Sequence, residues 1–307
     1  NSFLKEQMEK KYLPLVLEGA KEQGVECEVV FQVSKANGGK VEEEPKPEPL
    51  FSGIAPTYIG SFRKSDALNP GHTFDNFVVG SSNNLAHMAF SQASKTPGAL
   101  YNPLFVYGPT GVGKTHLMQA FGNSILNNVL DAKVLYVSAE KFTNDYIESL
   151  NNRTQQAFRQ KYRSVDVLLV DDIQFLSGKE GTQDEFFFTF NELQLSGRQL
   201  VIASDRHPKE LGRMADRLLS RFMGGMTIDI SKPDLELRTA ILIAKCQERG
   251  VLLPADVVNY IAASCDSSVR ELEGVLLQVL SLTKLSGGKI GLEEIKNTIE
   301  RNSIGPS

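Results

Sequence analysis

A chain of 307 residues with 41% apolar content is long enough for two or three compact units, and no apolar run in it approaches the length that crosses a membrane. Its net charge is -4, so any contact with nucleic acid must come from a local basic patch rather than from the field of the whole molecule. Cys27, Cys246 and Cys265 are odd in number and widely spaced in apolar segments, the pattern of reduced thiols, and four scattered histidines with no C-x-x-C argue against a metal centre of the zinc type. The sequence opens at Asn1 without methionine, as a fragment would, and shows no basic, hydrophobic leader, so a cytoplasmic protein is expected.

In chain order, residues 1–33 read as the remnant of a small α+β domain. Phe3, Leu4, Met8, Tyr12 and Val16 keep helical spacing until Pro14 disturbs it, and Val25 to Val33 reads as a β-branched strand. Residues 34–70 turn to Gly38-Gly39 and then Glu42-Glu43-Glu44-Pro45-Lys46-Pro47-Glu48-Pro49, a linker too polar to fold alone. Over 71–230 strands and helices alternate, which predicts an α/β unit with a parallel five-stranded sheet and helices on both faces. Strands are expected at 104–107, 133–137, 167–170, 200–203 and 226–230. Thr182-Gln183-Asp184-Glu185 fits a capping box for the helix after the third strand. Beyond Ser231 the β signal stops. Residues 234–249, 254–264, 267–285 and 292–301 carry helical spacing, so 231–307 reads as a small all-helical unit punctuated by Pro254 and Gly287-Gly288.

The chemistry concentrates around one loop. Gly108-Pro109-Thr110-Gly111-Val112-Gly113-Lys114-Thr115 fits G-x-x-x-x-G-K-[ST] and lies between the apolar run Leu104 to Tyr107 and an amphipathic stretch opening at His116. The glycines let backbone N–H groups turn toward phosphate oxygens, and the following helix adds its positive end. Lys114 then reaches the β- and γ-phosphates, while Thr115 offers a hydroxyl to Mg²⁺. The strand Val167 to Val170 delivers Asp171-Asp172 at its C-terminal end, where open α/β sheets bind ligands. Asp171 is assigned to magnesium and Asp172 to an attacking water. Because the unit 133–151 intervenes, another strand is expected between the phosphate-loop strand and this acidic one. Asp205 ends the next strand, in reach of a γ-phosphate or of the water, although alone it would read as a turn residue. Arg217 and Arg221 lie four apart on one helix face, where an isolated pair would be solvated surface. Ser268-Val269-Arg270-Glu271 is an S-x-x-E box that sets a cation in a first helical turn against the macrodipole, a placement suited to holding an anion.

Together these motifs resemble the AAA+ ATPases. More narrowly, Thr73-Phe74-Asp75-Asn76-Phe77-Val78-Val79-Gly80, Val170-Asp171-Asp172-Ile173-Gln174-Phe175, Ser204-Asp205-Arg206 and Val269-Arg270-Glu271-Leu272-Glu273-Gly274 look like the DnaA family of bacterial replication initiators. The resemblance implies ATP or ADP with Mg²⁺ bound between the sheet unit and a helical lid, with Val79 near the adenine and the loop from Gly108 through His116 on the phosphates. It implies that Arg221 is a finger offered to a neighbouring subunit's ATP with Arg217 supporting that interface, that Arg270 is the lid's phosphate sensor, and that Asp205 is the sheet's. The helical pair from about Ala139 to Arg163 is then the insertion that marks initiators. Lys141, Thr143, Arg153, Arg159, Lys179 and Thr182 would face single-stranded origin DNA in an ATP-dependent helical homo-oligomer, with slow hydrolysis as the reset. The family also implies a replicative helicase and regulators bound through the N-terminal domain, and acidic phospholipid as a further partner.

The chain departs from the family pattern at Gly181, where a basic residue is usual, at Thr143, where valine is, and at Gly71-His72, which replaces a basic-aromatic pair. It stops at Ser307, where a helix-turn-helix for duplex origin boxes is expected, so specific reading of those boxes is not expected of this polypeptide. A helicase loader or DnaA-regulating homologue acting through protein partners shares the same core. A sigma-factor-contacting transcription activator would need a loop insertion that is not seen.

Overall fold

Runs of alternating side-chain size and uniform apolarity set the centre of the molecule. In the computed structural model, β1 (Leu104–Tyr107), β2 (Val134–Ser138), β3 (Val167–Asp171), β4 (Gln199–Ser204) and β5 (Met226–Asp229) form one sheet in the order β2-β3-β4-β1-β5, every neighbouring pair parallel. The structure describes residues 68–285 together with Glu293, Ile295 and Lys296. The expected N-terminal remnant, residues 34–67 of the expected linker, Cys27 and most of the expected helix at 292–301 lie outside the described residues.

The central strands β3 and β4 are buried at every position, as strands covered on both faces must be, whereas the edge strands β2 and β5 are mostly half-exposed. β4 lies between β1 and β3, with Val201 opposite both Leu104 and Leu169. This is the strand expected to insert between the phosphate-loop strand and the acidic strand.

Period-two alternation divides the core. Leu104, Val106, Leu169, Val201 and Ala203 point to one face, where α1 (Asn84–Lys95) and α2 (Lys114–Asn128) cover them with Phe90, Leu117 and Phe121. Phe105, Leu168, Val170, Leu200 and Ile202 point to the other, under α3 (Ala139–Asn151), α4 (Gln155–Arg163), α5 (Glu180–Leu195) and α6 (Asp216–Met223). The α3–α4 pair has the bounds anticipated for the helical insertion. Ser138 caps α3 by accepting from the Lys141 amide at 3.1 Å, and Arg153 turns the chain in a left-handed conformation at φ 57°. The buried Glu185 of α5 fastens α4 by pairing with Arg163 at 2.6 Å and Arg159 at 3.3 Å.

The capping box expected at Thr182 does not form. α5 begins two residues earlier, at Glu180, and Thr182 is already inside its first turn. Gln183 explains the shift: its buried amide donates to the Leu176 and Arg213 carbonyls, both at 2.9 Å, and accepts from the Ala215 amide at 2.8 Å, which fixes the helix start from below.

After β5 come α7 (Leu235–Glu248), α8 (Ala255–Ser264) and α9 (Val269–Leu285), packed around a separate core of Leu242, Ile261, Leu272, Leu276 and Val279. Asp234 caps α7 by accepting from the Leu237 amide at 2.8 Å. Cys246 and Cys265 are free thiols in this core, and burial pushes the Cys265 thiol up to about 11. Among the described residues no helix is long and apolar enough to cross a membrane.

Phe142 binds the insertion to the sheet: it is fully buried, with ring centroids 5.2, 4.8 and 5.4 Å from Phe158, Tyr162 and Phe186. Phe142→Ala should therefore destabilise the protein by about 3–5 kcal/mol in a urea titration, the range for emptying a buried aromatic site. A loss below about 1 kcal/mol would mean that α3 is not anchored through this ring.

Candidate nucleotide site

The loop between β1 and α2 takes its shape from backbone that only glycine adopts easily. Gly108, Gly111 and Gly113 have φ of 151°, 76° and 102°, and a Cβ at Gly108 would stand 2.1 Å from the Ile230 carbonyl oxygen. Lys114 begins α2, so its side chain and the helix's amino end address the same cleft. The buried ammonium of Lys114 donates to the carbonyls of Gly108 at 2.7 Å and Pro109 at 2.8 Å. Burial pulls its pKa down, against the opposing pull of Asp171, Asp172 and Asp205, which all lie close enough to act on it.

β3 brings Asp171 to this loop across the intervening β4. The Asp171 carboxylate is only 3% exposed; its Oδ2 accepts from Thr115 Oγ1 at 2.7 Å and from the Tyr136 hydroxyl at 2.8 Å, and its Oδ1 accepts from the Asp172 amide at 2.9 Å. Burial and the adjacent carboxylate raise the Tyr136 phenol, so it stays a donor. A hydroxyl and a carboxylate side by side are hard oxygen ligands, the set Mg²⁺ uses when water and phosphate complete its octahedron. Asp172 follows in a left-handed conformation, φ 55°. Asp205 closes the far side at the end of β4, where Arg206 grips its carboxylate through two bonds of 2.9 and 2.7 Å and holds it below the usual carboxylate range.

The lid reaches the loop through the first turn of α9. The Val269 amide donates to the Gly111 carbonyl at 2.9 Å, and a Cβ on Gly111 would lie 2.8 Å from Ser268 Cβ and 3.2 Å from Arg270 Cβ. Ser268 Oγ accepts from the Glu271 amide at 3.2 Å, one half of the expected box, while the Glu271 carboxylate turns instead to Ser267. Arg270 is therefore delivered to the phosphate loop, near enough for its charge to act on Lys114.

The segment 78–83 joins the sheet unit to the lid on another side of the cleft. Asn83 clasps it, accepting from the Gly80 amide at 2.8 Å and donating to the Val78 carbonyl at 3.0 Å. Ser81 donates to Asp234 at 2.8 Å, Gly80 lies against Leu237, and Val79 is left 42% exposed. His116 lies in the first turn of α2 with its ring turned to this segment's approach. Its Nε2–H donates to the Thr73 carbonyl and to Asn76, both at 3.0 Å, and it stacks on His72 at 4.5 Å. Burial lowers its pKa to about 4, so the ring is neutral at physiological pH.

Away from the cleft, α6 presents Arg217 and Arg221 to solvent on one face. Arg217 pairs with Asp184 and lies over the Phe187 ring at 4.7 Å. Arg221 makes no ion pair among the described residues. Two residues expected to face DNA do not reach the surface: Thr143 is 2% exposed and donates to the Ala139 carbonyl at 2.8 Å, and Thr182 is 6% exposed inside α5. The helix packing that buries Phe142 also buries its neighbour. Lys141 is exposed and pairs with Asp145 at 2.6 Å, Arg159 is committed to Glu185, and Arg153 and Lys179 make no ion pair among the described residues. Tyr136, Gln174 and Asn83 have no assigned role in the sequence reading. Tyr136 and Gln174 carried the available signal, each a polar residue inside an apolar run.

The comparisons with known proteins agree with this geometry. The model of the bacterial DnaA ATPase domain matches residues 68–229. Over 240 residues the chain is 51% identical to the chromosomal replication initiator protein DnaA of Levilactobacillus brevis, covering 78% of this chain and 53% of that one, so it spans little more than half the length of this curated relative. The solved structure of domain III of the Thermotoga maritima replication initiation protein DnaA is 43% identical with a TM-score of 0.75, covering 78% of this chain and 99% of that chain. A replication initiator DnaA bound to AMPPCP and single-stranded DNA is 44% identical with a TM-score of 0.68, covering 76% and 70%. The chain belongs to the bacterial DnaA family.

Proposed function

We propose that this chain is the ATP-binding, self-assembling part of a replication initiator, and that ATP bridging between copies lines up weak cationic contacts on one origin strand. One observation carries it: the phosphate loop, the end of the acidic strand and the first turn of the lid meet in one cleft, through Thr115 to Asp171 at 2.7 Å and Val269 to Gly111 at 2.9 Å, while Arg221 stands outside that cleft on an exposed helix. A related DnaA was solved with AMPPCP and single-stranded DNA, which supports both ligands.

In this scheme the loop amides and Lys114 take the β- and γ-phosphates. Thr115 and Asp171 would hold Mg²⁺, which supplies charge neutralisation between those phosphates. Asp172 orients the attacking water, and Asp205 and Arg270 sense the γ-phosphate from the sheet and the lid. Hydrolysis forms a bond from water oxygen to the γ-phosphorus and breaks the bond to the bridging oxygen, giving ADP, inorganic phosphate and a proton. It resets the switch. Arg221, with a planar guanidinium and no ion pair among the described residues, reads the γ-phosphate of a second copy. Because that contact exists only between copies, ATP shifts the assembly equilibrium by its preference for the assembled state. The proposed strand contacts fall on Lys141, Arg153, Arg159 and Lys179. The same scheme divides the chain into a partner-binding remnant at 1–33, a tether at 34–70, the ATPase unit at 71–230 and the lid at 231–307, in a cytoplasmic protein. The replicative helicase and regulators would bind through 1–33, and acidic phospholipid enters by family resemblance.

Lys114→Ala should weaken ATP binding by at least about 100-fold in calorimetry, since the loop's own ammonium is removed. Near-normal affinity would remove the phosphate-loop assignment.

Arg221→Ala should keep monomer affinity for ATP within about threefold and abolish ATP-dependent assembly in sedimentation velocity. In mixtures, wild-type protomers supplying the finger should restore hydrolysis at the interface whose ATP belongs to the variant. Absence of that rescue would contradict action between subunits.

A further inference from the structure

Gln174 lies on the single 3₁₀ turn Ile173–Leu176 that follows β3. The turn is anchored by the buried Ile173 and Leu176, so Gln174 is not needed to fill the core. Just before it, Asp172 adopts φ 55°, ψ 50°, a conformation that a residue with a side chain keeps only when its surroundings hold it there. Three bonds do so: the Asp172 amide donates to Asp171 Oδ1 at 2.9 Å, the Asp172 carbonyl accepts from the Phe175 amide at 3.0 Å, and Gln174 Nε2 donates to Asp172 Oδ1 at 2.9 Å. The other end of the same side chain accepts from the Asp205 amide at 3.3 Å. An amide offers an uncharged donor and an acceptor a single atom apart, and here each end meets the partner it requires.

We propose that Gln174 is a positioning residue of the hydrolytic site, tying the carboxylate of Asp172 to the backbone of Asp205 so that the ends of β3 and β4 hold one fixed spacing around the γ-phosphate. This rests on the role given above to Asp172. Asp172 sets the line of attack of water on the γ-phosphorus, and the proton that water loses leaves through that carboxylate to solvent while ADP departs with the bridging oxygen. Gln174 takes no proton and touches no substrate. It acts through the orientation of Asp172, and through Asp205 it makes that orientation answer to the strand that also faces the γ-phosphate.

Gln174→Met and Gln174→Glu have nearly the volume of the native side chain. Methionine removes both bonds. Glutamate keeps an acceptor for the Asp205 amide but sets a negative oxygen against Asp172. The test is single-turnover hydrolysis of prebound ATP by the 307-residue chain, with nucleotide affinity measured in parallel by a fluorescent ATP analogue. Both variants should bind within about threefold of wild type and hydrolyse about tenfold more slowly, the glutamate variant no faster than the methionine one. Wild-type rates in both variants would overturn the proposal while leaving Asp172 its role. A loss of affinity equal to the loss of rate would also overturn it, since Gln174 would then support binding rather than the water. A wild-type chain that binds ATP but never hydrolyses it would overturn the role of Asp172 and this inference together.

Discussion

The rest of the structure depends on the satisfaction of one buried carboxylate. Asp171 is 3% exposed, and a polar group so far from water is tolerated only when its lone pairs are met. Thr115, Tyr136 and the Asp172 amide meet them, from α2, from β2 and from its own turn. Each donor comes from a different element, so the carboxylate fixes the start of α2 against the end of β3 although a whole strand lies between β1 and β3. The sheet order is what makes this reach feasible. Parallel strands put all of these ends on one edge of the sheet, and β4 contributes Asp205 to the same edge.

The same arrangement joins the lid to the sheet unit at two places. The lid touches the loop through backbone and small side chains, Val269, Ser268 and the Cβ of Arg270 against Gly111, with no room for a side chain on the loop. At the opposite side Ser81, Gly80 and Val78 meet Asp234, Leu237 and the lid core. In the proposed scheme a ligand lying between these two contacts touches both sheet unit and lid, which is what a switch requires. Arg221 lies outside both contacts, on α6. Its neighbour Arg217 is held by Asp184 and Phe187, so of the two arginines only Arg221 makes no ion pair among the described residues.

Much of this was legible in the residues. The strand-loop-helix around Lys114, the inserted strand, the all-helical lid and the cap at Ser268 follow from local pattern, because glycine placement, period-two burial and S-x-x-E are encoded within a few residues of where they act. The expected cap at Thr182 failed for a non-local reason, since Gln183 is drawn to carbonyls of Leu176 and Arg213 and its helix starts earlier. Thr143 and Thr182 were expected at a DNA surface and proved buried, because periodicity marks a polar residue without revealing which neighbouring helix covers it. Tyr136 and Gln174 went unassigned for the complementary reason: their partners Asp171 and Asp205 lie 35 and 31 residues away in sequence. His116, assigned with the phosphate loop, has its ring engaged by the distant Thr73, Asn76 and His72.

In the proposed scheme a single protomer of net charge -4 binds a strand weakly, and tight binding depends on how many copies the nucleotide aligns. Fluorescence anisotropy of a labelled single-stranded oligonucleotide, titrated with the 307-residue chain in ATP, in ADP and without nucleotide across a salt series, tests this most directly. Tight binding only with ATP is expected, with a salt slope that grows by about 0.7 for each phosphate contact that assembly adds. Equal affinity in all three conditions would contradict it.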